Sequence, residues 1–378
     1  MSIQFDLPKW YDLHVHLRQD DLLKVTIRDH LSAQCAGVLA MPNTKPPVGK
    51  ILKSDPLPYW SIEEYLEMIL VNGGDEFKHI IIPLYLTNAT TPLMIEQGAK
   101  NGLLKACKYY PPHGTTNSDH GSPFSGFDKN GIFKSMEEHN IILCIHGEQT
   151  GLSSEQYFAR ETNAEEKFYR EDLPELHLKY PNLKIVCEHV TTKVAVDFVK
   201  SSSDMVSATI TPQHLMYTVG HLLQGLKYHL YCLPLLKFEE DRTALRDAVT
   251  DIRNIKFFAG TDSAPHTLKA TDCGCAAGCY TAPIAPQLYA KAFEEAGVDL
   301  SLPRSQKIFK NFLCDIGPKF YNLPMSNETF TLVKKTQLID FINVGSEFIT
   351  PLPVGLNPDH ANNQTKLDWA IIENDTEN

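Results

Sequence analysis

Short apolar segments alternate with longer amphipathic segments along most of the chain. The segments that predict strands are residues 11–17, 37–41, 80–86, 104–109, 141–146, 184–188, 207–210 and 256–260. The segments that predict helices include residues 61–72, 91–101, 128–140, 191–200, 239–253 and 283–296. Several strands are apolar on both faces, which is typical of a parallel sheet buried beneath helices. Eight strand–helix units favour an α/β fold of the (β/α)8 TIM-barrel class over an open doubly wound sheet.

The pattern changes after about residue 321, where the alternation of strands and helices ends. The rest of the chain shows short β-like segments and a polar end. We therefore expect a catalytic barrel domain over residues 1–328 and a C-terminal extension over residues 329–378 that packs on the barrel. The last residues, 373–378, are expected to be disordered.

The first predicted strand carries a row of polar side chains. His14, His16 and Arg18 alternate with apolar residues, so all three side chains point to the same side of the strand. Two imidazoles aimed at one point are typical of a zinc site. The alternative is a solvent-facing strand that carries two histidines by chance, and the ends of the later strands bear on that choice.

Polar side chains also follow several of the later strands. In a TIM barrel the catalytic groups lie at the C-terminal ends of the strands. The residues at those ends are Asn43, Lys108, His146, His189, Asp262 and His266. We therefore expect them to face one opening together with the histidines of the first strand. The other histidines, such as His30, show no partner pattern, and His214 is expected to support the site without binding metal.

Lys108 and Asp262 each allow more than one interpretation. A protonated amine does not ligate a cation, and a bare ammonium is costly to bury beside a metal. Reaction with carbon dioxide would convert Lys108 to a carbamate with two oxygens able to bridge two metal ions. The alternative is a structural lysine paired with a carboxylate. Asp262 could be a metal ligand, a general base or both, or it could cap a helix at a strand-to-helix turn.

Composition narrows the range of partners and compartments. The chain has 378 residues, of which 43% are hydrophobic, so it can bury a large core. A formal net charge of −11 argues against a nucleic acid or an anionic membrane as the main partner, although it allows a small anionic substrate. No targeting segment or membrane span is expected. Nine cysteines, several within apolar segments, suit a reducing cytoplasm.

The strand-end motifs together resemble dihydroorotase, in its shorter type II form within the amidohydrolase superfamily. They occur in family order between about residues 10 and 325. The motifs are His14-Val-His16-Leu-Arg18, Met41-Pro-Asn43, Lys108-Tyr-Tyr-Pro with Thr115-Thr116-Asn117-Ser118, His146-Gly-Glu148, Glu188-His189, Thr209-Ile-Thr-Pro-Gln-His214 and Gly260-Thr-Asp262-Ser-Ala-Pro-His266. The early position of the first motif leads us to expect no β-sandwich before the barrel, unlike in the longer hydantoinase-like relatives.

The resemblance implies two zinc ions per subunit. The implied ligands are His14, His16, Lys108, His146, His189 and Asp262. The first two would hold the more buried zinc with Asp262, and the other two histidines would hold the second zinc. Lys108, carboxylated on its side-chain nitrogen by carbon dioxide or bicarbonate, would bridge the pair. Asp262 would also be the catalytic acid–base.

The resemblance also implies how the substrate is held. The implied substrate-binding residues are His16, Arg18, Asn43, His146, Leu233, His266 and Ala277. Arg18, Asn43 and His266 match the anchors of the substrate carboxylate, and Leu233 matches a position whose backbone contacts the ring. Thr115 and Thr116 resemble the mobile loop that closes over the substrate.

One segment departs from the family pattern. The family's cysteine-rich run appears here as Cys273-Gly-Cys275-Ala276-Ala277-Gly278-Cys279, with an extra alanine. The substrate-contacting alanine is therefore Ala276 or Ala277, and we favour Ala277 because it keeps the spacing to the following Gly-Cys pair. Read without the family, the three cysteines suggest a structural zinc site, although a fourth ligand is not apparent.

The activity that the resemblance implies is that of a cyclic amide hydrolase. It would catalyse the reversible, zinc-dependent cyclisation of N-carbamoyl-L-aspartate to (S)-dihydroorotate and water in pyrimidine biosynthesis, as a cytoplasmic homodimer. One alternative is another cyclic-amide hydrolase, such as a hydantoinase or allantoinase, but a neutral ring would give the carboxylate anchor nothing to hold. The other is a non-catalytic barrel, which should have lost metal ligands that this chain retains.

Overall fold

The structure, a computed structural model, describes residues 3–272 and 274–373. The strands in chain order are β1 (Gln4–Pro8), β2 (Trp10–Val15), β3 (Cys35–Ala40), β4 (Val48–Lys50), β5 (Trp60–Ser61), β6 (His79–Ile81), β7 (Leu84–Tyr85), β8 (Ala106–Tyr109), β9 (Ile142–Ile145), β10 (Ile185–Cys187), β11 (Val206–Ile210), β12 (Phe257–Ala259), β13 (Ala270–Thr271), β14 (Gly274–Cys275), β15 (Thr329–Val333), β16 (Gln337–Ile339), β17 (Ile342–Val344), β18 (Glu347–Ile349), β19 (Thr365–Leu367) and β20 (Ala370–Glu373).

Helices cover most of the connections between the barrel strands. The α-helices are α1 (Asp20–Ser32), α2 (Ile62–Val71), α3 (Pro92–Lys100), α4 (Phe124–Lys129), α5 (Ile132–Glu138), α6 (Ser154–Tyr157), α7 (Ala164–Arg170), α8 (Asp172–Lys179), α9 (Lys193–Ser201), α10 (Pro212–Met216), α11 (Val219–Leu223), α12 (Glu239–Thr250), α13 (Ala285–Glu295), α14 (Pro303–Lys310) and α15 (Ile316–Phe320). Short 3-10 helices lie at Gly74–Glu76, Tyr228–Leu230, Ala282–Ile284 and Val354–Leu356, and a π-helical turn lies at Asn311–Asp315.

Parallel strands form a closed barrel, as the sequence predicts. Strands β2, β3 and β6 pair in parallel, and β7 to β12 pair in parallel in the order of the sequence. The barrel closes where Val15 bridges Ser263, and the amide of Asp262 donates to the carbonyl of His14 at 2.9 Å. The TIM-barrel prediction is confirmed.

Two predicted elements are each divided in the structure. The strand predicted at residues 80–86 is split into β6 and β7 around Pro83, because proline has no N–H to donate to the sheet. The helix predicted at residues 128–140 is split into α4 and α5, because Gly131 adopts a left-handed φ of 74° between them. Every residue of β8 and β9 is buried, and Lys108 on β8 is the one charged residue among these eight.

The two ends of the described chain meet in a small antiparallel sheet outside the barrel. Strand β15 pairs with β1 on one side and with β20 on the other. The division between a barrel domain and an extension at residue 329 stays a prediction. Strand β20 ends at Glu373, and the disorder predicted for residues 373–378 falls mainly on residues 374–378, which lie outside the described residues. None of the described helices has the length and apolar character needed to cross a bilayer.

Candidate metal centre

His14, His16 and Asp262 form a compact group of buried ligand atoms at the C-terminal end of the barrel. Their ligand atoms all lie within 4.8 Å of one another. Asp262 Oδ1 lies 3.4 Å from His14 Nε2 and 3.0 Å from His16 Nε2. The backbone bond between Asp262 and His14 that closes the barrel also brings the carboxylate beside the two imidazoles.

His146 and His189 extend this group across the barrel opening. The ring of His189 lies 4.8 Å from the ring of His14 and 4.8 Å from the ring of His146, measured between centroids. His189 is buried and follows β10 with a left-handed φ of 40°. The four histidines predicted as ligands therefore lie in one continuous arc.

Lys108 lies on β8 and is completely buried. Its Nζ has no hydrogen-bond partner within the described part of the chain, and it lies 5.1 Å from the ring centroid of Tyr110. Burial lowers the pKa of Lys108, although the negative charges of Glu188 and Asp262 oppose that shift. This geometry does not support the alternative of a lysine held in a direct pair with a carboxylate.

Unpaired buried polar atoms fit a metal-binding role for this group. His14 Nε2, His189 Nδ1 and Lys108 Nζ are buried, and none has a hydrogen-bond partner among the described residues. Buried polar atoms without partners are rare in folded proteins and call for a specific explanation. Imidazole nitrogens together with carboxylate oxygens are the donor set that zinc prefers, so the residues fit the ion.

The charge states of four of the predicted ligands also suit metal binding. Burial lowers the pKa of His16 to about 4 and lowers those of His146 and His189, so these imidazoles are neutral near pH 7. Burial alone would raise the pKa of Asp262, but the adjacent imidazoles of His14 and His16 outweigh it and hold that pKa well below its usual range. Neutral imidazoles and an ionised carboxylate are the forms that bind a cation.

Three hydrogen bonds that the imidazoles donate to neighbouring side chains fix the orientation of the rings. His14 Nδ1–H donates to Glu188 Oε2 at 2.7 Å, and His16 Nδ1–H donates to Asn43 Oδ1 at 2.8 Å. His146 Nε2–H donates to Glu148 Oε2 at 2.9 Å. Neither glutamate had a role predicted from the sequence, and Asn43 was predicted only as a carboxylate anchor. Each bond fixes which ring nitrogen carries the hydrogen and leaves the other with its lone pair.

Sequence reasoning also missed a buried cluster beneath the centre. Asp12 Oδ1 accepts from the amide of Thr261 at 2.9 Å, and Asp12 Oδ2 accepts from Thr261 Oγ1 at 2.5 Å and from His30 Nε2 at 3.1 Å. Asp12 thereby ties the first barrel strand to the residue before Asp262. One sequence pattern could have indicated this role: Asp12 lies two residues before His14, so on a strand its side chain points to the same side as those of His14 and His16.

The predicted carboxylate anchor lies beside the metal ligands. Arg18 Nη2 lies 3.3 Å from His266 Nε2, and burial together with the charge of Arg18 lowers the pKa of His266 to about 3. The strand predicted at residues 11–17 ends earlier than expected, so Arg18 does not extend its row of side chains. Strand β2 ends at Val15, and Arg18 has a left-handed φ of 64° with its carbonyl accepting from Tyr65 Oη at 2.8 Å.

A narrow cleft joins the anchor to Asp262. Its walls are formed by His16, Arg18, Asn43, Thr115, Thr116, Leu233, Asp262, Ala264, Ala277 and Gly278. Ala277 is among them and Ala276 is not, and the substrate contact expected of Ala277 stays a prediction. The alternative of a structural zinc on the cysteines depends in part on Cys273, which lies outside the described residues.

The loop that carries Thr115 and Thr116 lies over this cleft. Asn43 Nδ2 donates to the carbonyl of Thr116 at 2.9 Å, and Thr116 Oγ1 lies 3.5 Å from the carbonyl oxygen of Ala277. Asn117 Nδ2 donates in turn to the carbonyl of Asn43 at 2.9 Å. The loop therefore contacts both sides of the cleft, and its mobility stays a prediction.

The chain is similar to known dihydroorotases along almost its whole length. No protein-family model matches it. It is 39% identical to the dihydroorotase of Acaryochloris marina over 369 residues, which cover 96% of this chain and 97% of that protein. It is 40% identical to the dihydroorotase of Shewanella amazonensis over 351 residues, which cover 91% of this chain and 94% of that protein.

Solved structures give the same result. The dihydroorotase of Saccharomyces cerevisiae in complex with 5-fluoroorotic acid superposes with a TM-score of 0.83 at 28% identity, covering 98% of this chain and 99% of that chain. The dihydroorotase of Campylobacter jejuni superposes with a TM-score of 0.80 at 26% identity and covers 98% of each chain. An L-hydantoinase from Arthrobacter aurescens, at 13% identity, covering 89% of this chain and 78% of that chain, with a TM-score of 0.66, shares the fold alone.

Proposed function

The chain belongs to the dihydroorotase family, and from that premise we propose that it interconverts N-carbamoyl-L-aspartate and (S)-dihydroorotate in pyrimidine biosynthesis. The observation that carries the proposal is that Arg18 lines one cleft with Asp262, while His266 lies 3.3 Å from the Arg18 guanidinium. That arrangement presents a planar cation to an anionic ring substrate directly beside an acid–base group. We also take the enzyme to be a cytoplasmic homodimer with neither a nucleic acid nor a membrane as its partner.

We propose that the site binds two zinc ions. The ligands would be His14, His16, His146, His189, Asp262 and carboxylated Lys108. Bound divalent metal ions lower the pKa of water and polarise an amide carbonyl. Burial of Lys108 supports its carboxylation, because a lowered pKa favours the uncharged amine that reacts with carbon dioxide. In that reaction the amine nitrogen bonds to the carbon of carbon dioxide and releases one proton.

The side chains of this chain would divide the remaining work. In the hydrolytic direction, Asp262 accepts a proton from the attacking water and donates it to the ring nitrogen as the amide C–N bond breaks. Arg18, Asn43 and His266 hold the carboxylate and thereby orient the ring. The same steps in reverse close the ring of N-carbamoyl-L-aspartate and release water.

A comparison of two substrates tests this proposal. Dihydrouracil has the same ring as dihydroorotate but lacks the carboxylate that Arg18 would bind. A charge-assisted hydrogen bond contributes about 1.5–3 kcal/mol, so we expect kcat/KM for dihydroorotate to exceed that for dihydrouracil by about 10- to 100-fold or more. Replacing Arg18 by methionine should remove most of that difference. Turnover of dihydrouracil or hydantoin at an equal or higher rate would instead indicate a hydantoinase-like enzyme.

A further inference from the structure

Lys269 lies three residues after His266 and four residues before the segment 273–279 that departs from the family pattern. Its side chain is buried, and its residue is 8% exposed. Lys269 Nζ donates to the carbonyl oxygens of Tyr231 at 2.7 Å, Ala276 at 2.5 Å and Gly278 at 2.5 Å. An ammonium has three N–H donors, so these three acceptors use its whole capacity.

The three carbonyls belong to two segments that are distant in sequence and adjacent in space. Tyr231 lies two residues before Leu233, and Ala276 and Gly278 lie on either side of Ala277. Leu233 and Ala277 both line the cleft beside Asp262. Every bond from the Lys269 ammonium therefore ends on backbone next to a predicted substrate contact.

Other bonds in the same place make the arrangement specific. The amide of Gly278 donates to the carbonyl of Tyr231 at 2.9 Å, and the amide of Ala276 donates to the carbonyl of Lys269 at 2.8 Å. His266 Nε2–H donates to the carbonyl of Ala277 at 2.8 Å. The backbone segment that Lys269 binds at Ala276 and Gly278 therefore also binds His266, a residue of the predicted carboxylate anchor.

We propose that Lys269 is a positioning residue that holds residues 231–233 and 276–278 together so that both segments present their backbone to the substrate. This inference rests on the proposed function. Without the ammonium, the carbonyls of Tyr231, Ala276 and Gly278 lose a donor, and the two segments relax towards other partners. Displacement of the two segments misaligns the backbone groups that contact the substrate, and its binding therefore weakens.

Lys256 provides a matched control for the substitution. Its Nζ also donates to three backbone carbonyls, those of Val199 at 3.0 Å, Ser203 at 2.9 Å and Ser202. Lys256 lies immediately before β12, at the end of the barrel opposite the metal ligands. Lys269→Met and Lys256→Met therefore remove the same chemical group from the two ends of the fold.

The experiment measures binding and turnover in both variants, with orotate as the probe of binding. For Lys269→Met we expect the Kd of orotate and the KM of dihydroorotate to rise at least tenfold, which corresponds to about 1.4 kcal/mol, with kcat within about threefold of the wild-type value. For Lys256→Met we expect both constants within about twofold of wild type. Lys269→Arg, which keeps donors for the carbonyls, should recover part of the lost affinity.

Each outcome decides the inference. Unchanged orotate binding in Lys269→Met overturns it, as does an equal rise of KM in Lys256→Met, which would indicate a general effect of lost stability. If Lys269→Met does not fold, Lys269→Gln is measured instead, and orotate affinity equal to that of the wild type overturns the inference. A wild-type chain without dihydroorotate turnover refutes the proposed function, whereas an active wild type beside an unaffected Lys269→Met refutes only the role of Lys269.

Discussion

Replacing Glu188 by glutamine tests how the protein prepares His14 for a metal ion. Glu188 Oε2 accepts from His14 Nδ1 at 2.7 Å and from Thr209 Oγ1 at 2.6 Å, and both His14 and Glu188 are almost completely buried. Burial alone would lower the pKa of His14, but the negative charge of Glu188 outweighs it. The carboxylate thus makes His14 Nε2 a more basic ligand and fixes its orientation.

The size of the expected effect follows from this contact. Glutamine is nearly isosteric with glutamate, but it is neutral and offers only one oxygen acceptor. Loss of a carboxylate behind a histidine ligand typically weakens metal binding by about 10- to 100-fold, or about 1.4–2.7 kcal/mol. We therefore expect Glu188→Gln to weaken zinc binding by that factor while the metal-free protein remains folded.

Zinc affinity is measured by competition with a chelator, and Asp29→Asn serves as the control. Asp29 is also a buried carboxylate, but it bonds to Tyr280 Oη at 2.6 Å and to Arg28, away from the metal ligands. We expect no change of zinc affinity in this control. Zinc binding by Glu188→Gln within twofold of wild type would refute the reasoning, and so would an equal loss in both variants.

Three other substitutions separate catalysis, substrate binding and stability. Asp262→Asn should lower kcat by about 10²- to 10⁴-fold in a dihydroorotate assay while orotate binding measured by calorimetry weakens less than about tenfold; parallel loss of both would contradict the division of roles. Arg18→Lys should raise the KM of dihydroorotate by about 10- to 100-fold, because lysine lacks the planar fork, and an unchanged KM would rule out Arg18 as the anchor. Glu328→Gln should lower the free energy of unfolding at neutral pH by less than about 1 kcal/mol in urea titrations, since the group is partly exposed and solvent screens the pair. Lys9 and Lys78 hold the pKa of Glu328 down to about 2, so that difference is present above its ordinary pKa of 4.5 and must shrink, not grow, as the pH falls towards 2.

Much of the site was predictable because a parallel barrel gathers the ends of its strands at one rim. His146, His189 and Asp262 are far apart in sequence, yet each lies at the end of an apolar segment or within two residues of it. Once the segments are counted as barrel strands, their final polar residues must lie near one another. The alternation of apolar segments therefore predicts where these residues lie, even though their contacts are unknown from the sequence.

The contacts that orient these residues were not predictable in the same way. The bond between His14 and Glu188 joins positions 174 apart in sequence, and no local pattern indicates which histidine a glutamate reaches. Arg18 has a left-handed backbone, and its carbonyl accepts a hydrogen bond from Tyr65 on helix α2. The alternation of residues along β2 predicts neither feature. Lys269 meets its three carbonyls only after two loops have packed together.

Zinc content measured together with dihydroorotate hydrolysis tests the central claim most directly. We expect about two zinc ions per chain, activity that is lost on chelation, and activity that returns with zinc and bicarbonate. Lys108→Ala should hold about one zinc ion or fewer, because it removes the bridging group. A metal-free chain that hydrolyses dihydroorotate at full rate, or a wild-type chain that binds no zinc, would contradict the account.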